Sequence, residues 1–198
     1  KLSHASILDG VALSGAKLFR FRHNDPDHLA ELLKKERQKY KDALIVTETI
    51  FSMDGDRAPL KALVDLKELY GCRILVDEAH ATGVVGASGH GLEEHFNLKG
   101  TADFIMGTFS KALGSQGGFL AFDDKARESL QSYFRTYDYS TSLSTLSAAA
   151  ALKALALIET NSSILDSLKK VKERIISSCM EQGLPLVVNK SMILLLPA

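Results

Sequence analysis

Four short apolar segments, the first three separated by helical stretches, are the sequence feature that most constrains the fold. They are residues 43–47, 73–76, 103–106 and 118–122. None has the regular apolar–polar alternation of a half-exposed strand. Continuous apolar strands linked by helices are typical of a parallel sheet that is covered on both faces. We therefore predict an α/β domain built on a mostly parallel sheet.

Local signals predict where several helices begin and end. Asp25 is the expected N-cap of a helix that has Pro26 at its first position. Pro59 opens another helix, which Gly71 ends. Residues 17–21 are expected to form a further short strand. Other helices are predicted at residues 5–14, 124–135, 143–160 and 163–182, and two more strands at residues 184–188 and 192–196.

Three polar loops follow the first three predicted strands, at residues 48–56, 77–82 and 108–115. The carboxyl ends of parallel strands lie at one edge of a sheet, and ligands of such sheets bind there. We expect the three loops to meet at a functional site.

Lys111 is the strongest candidate for chemistry in these loops. An apolar run leads to it through Gly107, Thr108 and Ser110 flank it, and a glycine-rich segment follows. Burial lowers the pKa of an ammonium group, so a lysine in this setting can act as a nucleophile or form a Schiff base. The neighbouring hydroxyl groups could donate hydrogen bonds to a phosphate. A tight turn between two strands would explain the glycines but not the lysine.

Asp77 and His80 directly follow the second predicted strand. The carboxylate could hold a cationic ring nitrogen and the imidazole could orient a ring, or both could be solvated loop residues. The Asp-Glu-Ala-His order also resembles the magnesium-binding motif of helicase-type ATPases. That function requires a Gly-x-x-x-x-Gly-Lys-Ser/Thr phosphate loop, which the sequence lacks. An ATPase is therefore disfavoured.

Other candidate patterns are weaker. The glycines between residues 83 and 91 do not follow the order of a dinucleotide-binding loop, and suit either a flexible site loop or a surface loop. His90 and His95 lie near two glutamates, but this spacing suits a solvated helix face at least as well as a metal site. We predict no bound metal. His4 and Ser6 could simply cap the first helix.

Composition limits the classes of function. The 198 residues are 45% hydrophobic and carry no formal net charge. Nothing favours a nucleic-acid or anionic membrane surface. No stretch approaches the roughly 20 apolar residues that a membrane helix needs. The two cysteines, Cys72 and Cys179, are expected to be free thiols in a reducing compartment. These features, with the lack of a predicted signal peptide, lead us to expect a cytoplasmic protein.

Three ordered motifs carry a resemblance to a known family. They are Phe-Ser-Met-Asp-Gly-Asp at 51–56, Asp-Glu-Ala-His-Ala-Thr-Gly at 77–83 and Thr-Phe-Ser-Lys-Ala-Leu-Gly at 108–114. The chain resembles the α-oxoamine synthases, which are pyridoxal-phosphate (PLP) enzymes of the aspartate-aminotransferase fold, also called fold type I. The resemblance implies a three-layer, mostly parallel α/β sheet, with a PLP-binding large domain at 1–183, the start of a small domain at 184–198, and truncation at both ends.

The resemblance also assigns roles to residues around the cofactor ring. It implies that Lys111 forms the Schiff base with PLP, and that Asp77 pairs with the pyridinium nitrogen. His80 and Ser52 would hydrogen-bond to the ring hydroxyl.

Further residues would complete the PLP site. The resemblance places His4 on the ring face and Thr108 at the phosphate. Thr141 would reach the phosphate site of a partner subunit, which implies a homodimer. The family usually has two prolines where this sequence has Ser144 and Thr145.

The implied reaction is a decarboxylative condensation of L-alanine with pimeloyl-CoA or pimeloyl-ACP, in which Lys111 removes the α-proton of the amino acid. A glycine C-acetyltransferase or another α-oxoamine synthase is an alternative. A protein of a different class, a non-catalytic subunit that keeps the fold, would be free to lose the lysine and aspartate. We expect the 198-residue chain alone to turn over poorly or not at all.

Overall fold

The computed structural model describes residues 3–127, 130, 134 and 138–197. The elements in chain order are α1 (Ala5–Ser14), α2 (Pro26–Glu36), β1 (Leu44–Glu48), α3 (Leu60–Tyr70), β2 (Arg73–Asp77), α4 (Leu92–His95), β3 (Phe104–Thr108), β4 (Gly118–Phe122), α5 (Thr145–Thr160) and α6 (Ser163–Glu181). Short 3-10 helices lie at Arg37–Lys39 and Asp124–Ala126. Half of the helix expected at 124–135 falls outside the described residues.

The four strands form one sheet in the order β1-β2-β3-β4. The pairs β1–β2 and β2–β3 are parallel, as predicted, whereas β4 is antiparallel to β3. A parallel crossover needs about a dozen residues or more, and only residues 109–117 connect β3 to β4. The connection is therefore a hairpin, and it carries Lys111.

The helix start predicted at Asp25 and Pro26 and the helix end predicted at Gly71 are confirmed. Asp25 accepts a hydrogen bond from the backbone nitrogen of His28 at 2.8 Å, and Pro26 begins α2. Gly71 ends α3 in the left-handed conformation, with φ of 58°. The expectation of a strand at residues 17–21 is wrong, because within the described residues this segment is irregular and pairs with no strand.

One hydrophobic core joins α2 and α3 to the sheet. Its best-buried side chains include Leu60, Leu63, Ile74, Val76 and Leu92, each at most 1% exposed. Such burial contributes about 1.5–3 kcal/mol for each large aliphatic side chain. The core therefore fixes β1 and β2 in place, and with them the loops at their carboxyl ends.

A cavity of about 760 Å³ lies beside the sheet. Residues of α1, of the irregular segment after it and of α2 line the cavity, and the strands contribute residues 44–47 of β1, Leu75 and Met106. The segment that was expected to be a strand is thus a wall of this cavity.

The two helices at the carboxyl end of the chain lie within two residues of their predicted bounds. Ser115 Oγ donates a hydrogen bond to the carbonyl oxygen of Ser147, in α5, at 2.7 Å. On α6, Val171, Ile175 and Met180 are exposed. Among the described residues, no single helix is long and apolar enough to cross a membrane. The α5–α6 pair, bent by 85°, satisfies that test by length and composition only.

Residues 184–197 contain one isolated bridge, between Val187 and Leu195, in place of the two strands predicted there. Asn189 Nδ2 donates a hydrogen bond to the carbonyl of Asp54, so this segment lies against the turn after β1. The domain boundary between residues 183 and 184 remains a prediction.

Candidate active site

The register of the parallel strands aligns the first residues of the site. Glu48 at the end of β1 pairs with Asp77 at the end of β2, and Asp77 pairs with Met106 of β3. Both acidic residues are buried, at 2% exposure for Glu48 and 6% for Asp77. Two carboxylates therefore lie side by side at the sheet edge where the polar loops were expected to meet.

The β3–β4 hairpin positions Lys111. Backbone hydrogen bonds close the hairpin, from Phe109 to the carbonyl of Gly117 at 2.9 Å and from Ser115 to the carbonyl of Phe109 at 2.8 Å. Lys111 Nζ lies 2.9 Å from Nε2 of His80, in the loop after β2. The lysine and the histidine, which are far apart in sequence, are thus in direct hydrogen-bond contact.

Electrostatics favour a neutral imidazole in this pair. Burial, followed by the positive charge of Lys111, lowers the pKa of His80, while the Asp77 carboxylate opposes the change. Burial also lowers the pKa of Lys111, and the charges of Asp77 and Glu48 partly offset this. Lys111 is exposed as a whole residue, so the cause is partial desolvation of its ammonium group. The ammonium can therefore donate to a neutral His80, and it loses its proton more readily than an ordinary lysine.

Glu48 is a site residue that the sequence reasoning missed. Burial raises its pKa, and the neighbouring Asp77 charge adds to the effect, whereas a hydrogen bond from the His4 backbone and the Lys111 charge lower it. The signal that could have identified Glu48 is its position as the last residue of β1, where it pairs with Asp77 of β2. Glu48 therefore contributes negative charge close to Lys111.

His4 reaches this cluster through its backbone. Its nitrogen donates to Glu48 Oε1, and its charge lowers the pKa of His80. The His4 ring also caps α1, because Nδ1 accepts a hydrogen bond from the Ser6 nitrogen at 3.3 Å. The capping interpretation is therefore confirmed, and the ring-stacking role stays a prediction.

Thr108 and Ser110 lie together at the start of the hairpin. Their hydroxyl oxygens are 2.7 Å apart, and Thr108 Oγ1 donates to the carbonyl of Gly117 at 3.0 Å. The Ser110 nitrogen donates to Thr108 Oγ1 at 3.1 Å. These hydroxyls close the turn, and their contact with a phosphate stays a prediction.

Ser52 and Thr141 are not joined to the cluster. Within the residues that the structure describes, neither has a hydrogen bond to Lys111, Asp77 or His80. Ser52 is half-buried in the turn after β1, and Thr141 is exposed before α5. Ser144, where the resemblance led us to expect a proline, is the N-cap residue of α5. The proposed roles of Ser52 and Thr141 stay predictions.

Glu78, next to Asp77, has different surroundings. It is 2% exposed, its Oε1 accepts a hydrogen bond from the Leu92 nitrogen at 3.0 Å, and its Oε2 has no partner among the described residues. Burial, as the largest cause, raises its pKa to about 7. This carboxyl group holds the loop between β2 and α4 and was not identified from sequence.

The glutamates near His90 and His95 bind backbone groups. Glu94 accepts hydrogen bonds from the nitrogens of Ser88 and His90, and Glu93 accepts one from Ala102 at 2.7 Å. These contacts shape the glycine-rich loop.

A different group, formed by His23, Asp54 and Asp56, brings possible metal-ligand atoms within 4.8 Å of one another in the described part of the chain. Within this group, His23 Nε2 and Asp56 Oδ2 already contact each other at 2.7 Å. The expectation of no bound metal stays a prediction.

Comparison with known proteins agrees with this geometry. The family described as aminotransferase class I and II matches residues 1–198, and the chain belongs to this family. A relative from Alkaliphilus metalliredigens named 8-amino-7-oxononanoate synthase is 42% identical over 179 residues, which are 88% of this chain and 45% of the relative. The relative of that name from Alkaliphilus oremlandii is 44% identical over 168 residues, 85% of this chain and 42% of its own length.

Solved structures of fold-type I enzymes superpose on most of the chain. Serine palmitoyltransferase from S. paucimobilis, with a bound PLP–myriocin aldimine, gives a TM-score of 0.90 at 32% identity, covering 99% of this chain and 51% of that one. The 8-amino-7-oxononanoate synthase of Francisella tularensis gives a TM-score of 0.74 at 30% identity, and the match covers 95% of this chain and 54% of that one. The predicted fold is confirmed, and the chain spans about half the length of these proteins.

Proposed function

We propose that the chain forms the cofactor-binding part of a PLP-dependent acyltransferase of the α-oxoamine synthase type. The observation that carries the proposal is the 2.9 Å contact between Lys111 Nζ and His80 Nε2, beside the buried carboxylate of Asp77. A lysine with a lowered pKa, a neutral imidazole and a buried acid are the groups that the chemistry of this class requires.

The residues present fit PLP. Lys111 has no ion pair with a carboxylate among the described residues, so its nitrogen is available for a carbonyl carbon. Asp77 offers a negative charge to a cationic ring nitrogen, and the hydroxyls of Thr108 and Ser110 can turn toward a phosphate group. PLP, when bound, supplies an electron sink that stabilises negative charge on the α-carbon of an amino acid.

The side chains of this protein would then carry out one proton transfer, in which Lys111 removes a proton and holds it. Burial makes the Lys111 amine a stronger candidate for general base near neutral pH, because less free energy is needed to deprotonate its ammonium. His80 accepts a hydrogen bond from Lys111 without carrying a competing charge. Asp77 and Glu48 limit the fall of the Lys111 pKa, so that the amine can hold the proton after removing it.

We propose L-alanine and a pimeloyl thioester, pimeloyl-CoA or pimeloyl-ACP, as the substrates, and 8-amino-7-oxononanoate as the product. The names of the relatives at 42% and 44% identity support this choice. The likeness to serine palmitoyltransferase supports the wider class and keeps glycine C-acetyltransferase and other α-oxoamine synthases as alternatives. A non-catalytic subunit is disfavoured, since it would need neither Lys111 nor Asp77.

The test combines spectroscopy with a product assay on the full-length enzyme. PLP should give a visible absorbance band that Lys111→Ala abolishes, and this variant should lose at least about 10²-fold in kcat. Lys99→Ala, at an exposed lysine, is the matched control and should retain both. Turnover of alanine with the pimeloyl thioester should exceed that of glycine or serine with other acyl thioesters. An unchanged band and rate in Lys111→Ala would exclude the proposal.

We also propose a homodimer located in the cytoplasm, and poor turnover by the 198-residue chain alone. Thr141 is exposed, as a residue that reaches a partner must be, and apolar side chains of α5 and α6 are exposed as well. Sedimentation of the full-length enzyme, cell fractionation and an assay of the short chain test these three points. A monomer, a membrane-bound fraction or near-normal turnover would each contradict one of them.

A further inference from the structure

The carboxyl group of Glu48 lies where the amino-terminal segment of the chain meets the sheet. Glu48 is the last residue of β1, it is 2% exposed, and it pairs in register with Asp77 of β2. Its Oε1 accepts a hydrogen bond from the backbone nitrogen of His4, which is 44 residues away in sequence. Glu48 therefore connects the start of the described chain to the end of a core strand.

Helix α1 has few other attachments. None of its side chains is buried, and its apolar side chains line the cavity of about 760 Å³ beside the sheet. Within the described part of the chain, the contact between His4 and Glu48 is the hydrogen bond that joins residues 3–16 to the sheet. His4 is also the N-cap residue of α1. Glu48 therefore fixes the point at which this helix begins.

The imidazole of His4 lies within the charged cluster. Burial, then the charge of Lys111, lower the pKa of His80, and the charge of His4 adds to this effect. Burial raises the pKa of Glu48, and the charge of His4 opposes the change. Charge effects of this kind weaken with distance, so His4 is close to both side chains. Loss of the contact with Glu48 would therefore displace an imidazole that belongs to the cluster.

Glu48 acts on Lys111 through its charge. Burial lowers the pKa of Lys111, whereas the carboxylates of Asp77 and Glu48 raise it. Within the described residues, Glu48 and Lys111 form no ion pair, and Oε1 of Glu48 is occupied by the His4 nitrogen. Glu48 is also almost fully buried, so its carboxylate is placed to orient other groups and not to react with a substrate.

We propose that Glu48 is a positioning residue of the active site, whose carboxylate holds His4 beside the Lys111 cluster and sets the charge around the lysine amine. This inference rests on the proposed function, because chemistry at Lys111 is what gives the position of His4 its importance. A carboxylate suits the task, since an ionised acceptor binds an N–H group about twice as strongly as a neutral one. Glutamine would keep an acceptor without the charge, and leucine would keep neither, so the two contributions can be separated.

Hydrogen exchange in the full-length protein, without added substrate, tests the contact with His4. Glu48→Leu should speed exchange of the His4 amide by about tenfold or more, because a hydrogen bond to a charged acceptor is lost. Glu48→Gln should have a smaller effect, since its amide oxygen can still accept. Glu68→Gln, at an exposed glutamate of α3, is the control and should leave this exchange unchanged.

The pH dependence of Lys111 acylation tests the effect of the charge. The acylation profile should move to lower pH in both Glu48 variants, because a charge that raises the Lys111 pKa is removed. A merely structural role would change exchange at His4 in Glu48→Leu and leave the acylation profile of Glu48→Gln unmoved. Glu68→Gln should again match the parent.

A product assay connects these measurements to function. Glu48→Leu should lower kcat/KM by about tenfold or more, because misplaced groups near the reacting atoms slow a reaction, and Glu48→Gln should lose less. A parent enzyme without turnover, but with the expected exchange and acylation shifts, would contradict the proposed function and support the role of Glu48. An active parent together with parental kcat/KM or parental His4 exchange in Glu48→Leu would overturn the inference. If Glu48→Leu does not fold, an unmoved acylation profile in Glu48→Gln would overturn it.

Discussion

Asp77 and Glu78 are adjacent in sequence, but their carboxyl groups lie in different environments. Asp77 faces the charged cluster, where its negative charge raises the pKa of Lys111. Glu78 contacts the Leu92 nitrogen within the core and leaves one oxygen unpaired. The comparison shows that neighbouring acids can have separate tasks, one acting through its charge and the other supporting the fold.

The surroundings explain the difference. Near Asp77, Lys111 provides positive charge and is in hydrogen-bond contact with the neutral His80, in a partly exposed loop. Around Glu78, burial dominates and raises its pKa to about 7. Changes on the core side should therefore alter stability, and changes on the Asp77 side should alter the chemistry of Lys111 with little effect on stability.

The largest effect should come from the core that contains Leu92 and Leu63. Leu63→Ala, at 1% exposure, should lower the free energy of unfolding by about 2–5 kcal/mol, since it removes buried methyl groups and leaves a cavity. Leu69 lies on the same helix, α3, at 73% exposure, and Leu69→Ala should change stability by only about 0.5 kcal/mol. Urea denaturation of both variants measures these changes in the free energy of unfolding. Equal losses would contradict the assigned position of the core.

Glu78→Gln should change how stability depends on pH. A carboxyl group that keeps its proton to a higher pH in the folded protein makes the folded state less stable as pH rises. The loss begins near the ordinary pKa of 4.5, is complete above about 7, and amounts to the order of 3 kcal/mol.

Glutamine keeps the acceptor for Leu92 but cannot ionise, so the variant should be more stable than the parent at pH 8 and similar at pH 4.5. Chemical denaturation of the parent and the variant between pH 4.5 and 8 shows which of the two is more stable at each pH. Glu68→Gln, at an exposed glutamate of α3, is the control and should not remove this dependence. A parent protein whose stability rises between pH 4.5 and 8, with no gain for Glu78→Gln, would show that Glu78 is already ionised in the fold.

Gly91→Ala should disturb the same carboxyl group by contact. A Cβ at Gly91, which has φ of 93°, would lie 2.4 Å from Glu78 Oε2. Gly100, with φ of 77°, has no atom within 4 Å of such a Cβ, so Gly100→Ala measures backbone strain alone. We expect Gly91→Ala to cost about 2 kcal/mol more than Gly100→Ala, because Glu78 must move and lose its hydrogen bond. Thermal unfolding compares the pair, and equal losses would argue against a crowded Glu78.

Asp77→Asn should have the smallest effect on stability, within about 1 kcal/mol, because asparagine keeps the acceptor for the Ala79 nitrogen. It should lower the pKa of Lys111 further, since the charge that raises this pKa is removed. The rate of Lys111 acylation as a function of pH, followed by mass spectrometry, measures the change. Asp54→Asn, at an exposed carboxylate, is the control and should leave the Lys111 pKa unaltered. A higher Lys111 pKa in Asp77→Asn would contradict the expected direction of the change.

Local signals in the sequence predicted the parts of the fold that depend on nearby residues. Asp25 and Gly71 set helix ends through their own backbone and side-chain preferences, so their roles could be read directly. Residues 17–21 have strand-like composition, but a strand also needs a neighbour to pair with, and these residues pair with no strand in the part of the chain that the structure describes. The direction of β4 was predictable from the short connection after β3.

The candidate site was predicted where motif residues lie at strand ends, as for Asp77, His80 and Lys111. Glu48 was missed because its role depends on the register of β1 against β2, which brings it level with Asp77. Glu78 was missed because its importance comes from burial against Leu92, far along the chain. The assignments of Ser52 and Thr141 depend on a cofactor and a partner subunit, so the chain by itself does not test them.

The hairpin that carries Lys111 has a consequence for folding order. Joining β3 to β4 closes a short loop, which costs little chain entropy, whereas joining β1 to β2 requires a longer connection that includes α3. Contacts between residues close in sequence tend to form faster. We therefore expect the lysine to reach its turn early, while Glu48 and Asp77 become neighbours only when the parallel strands assemble.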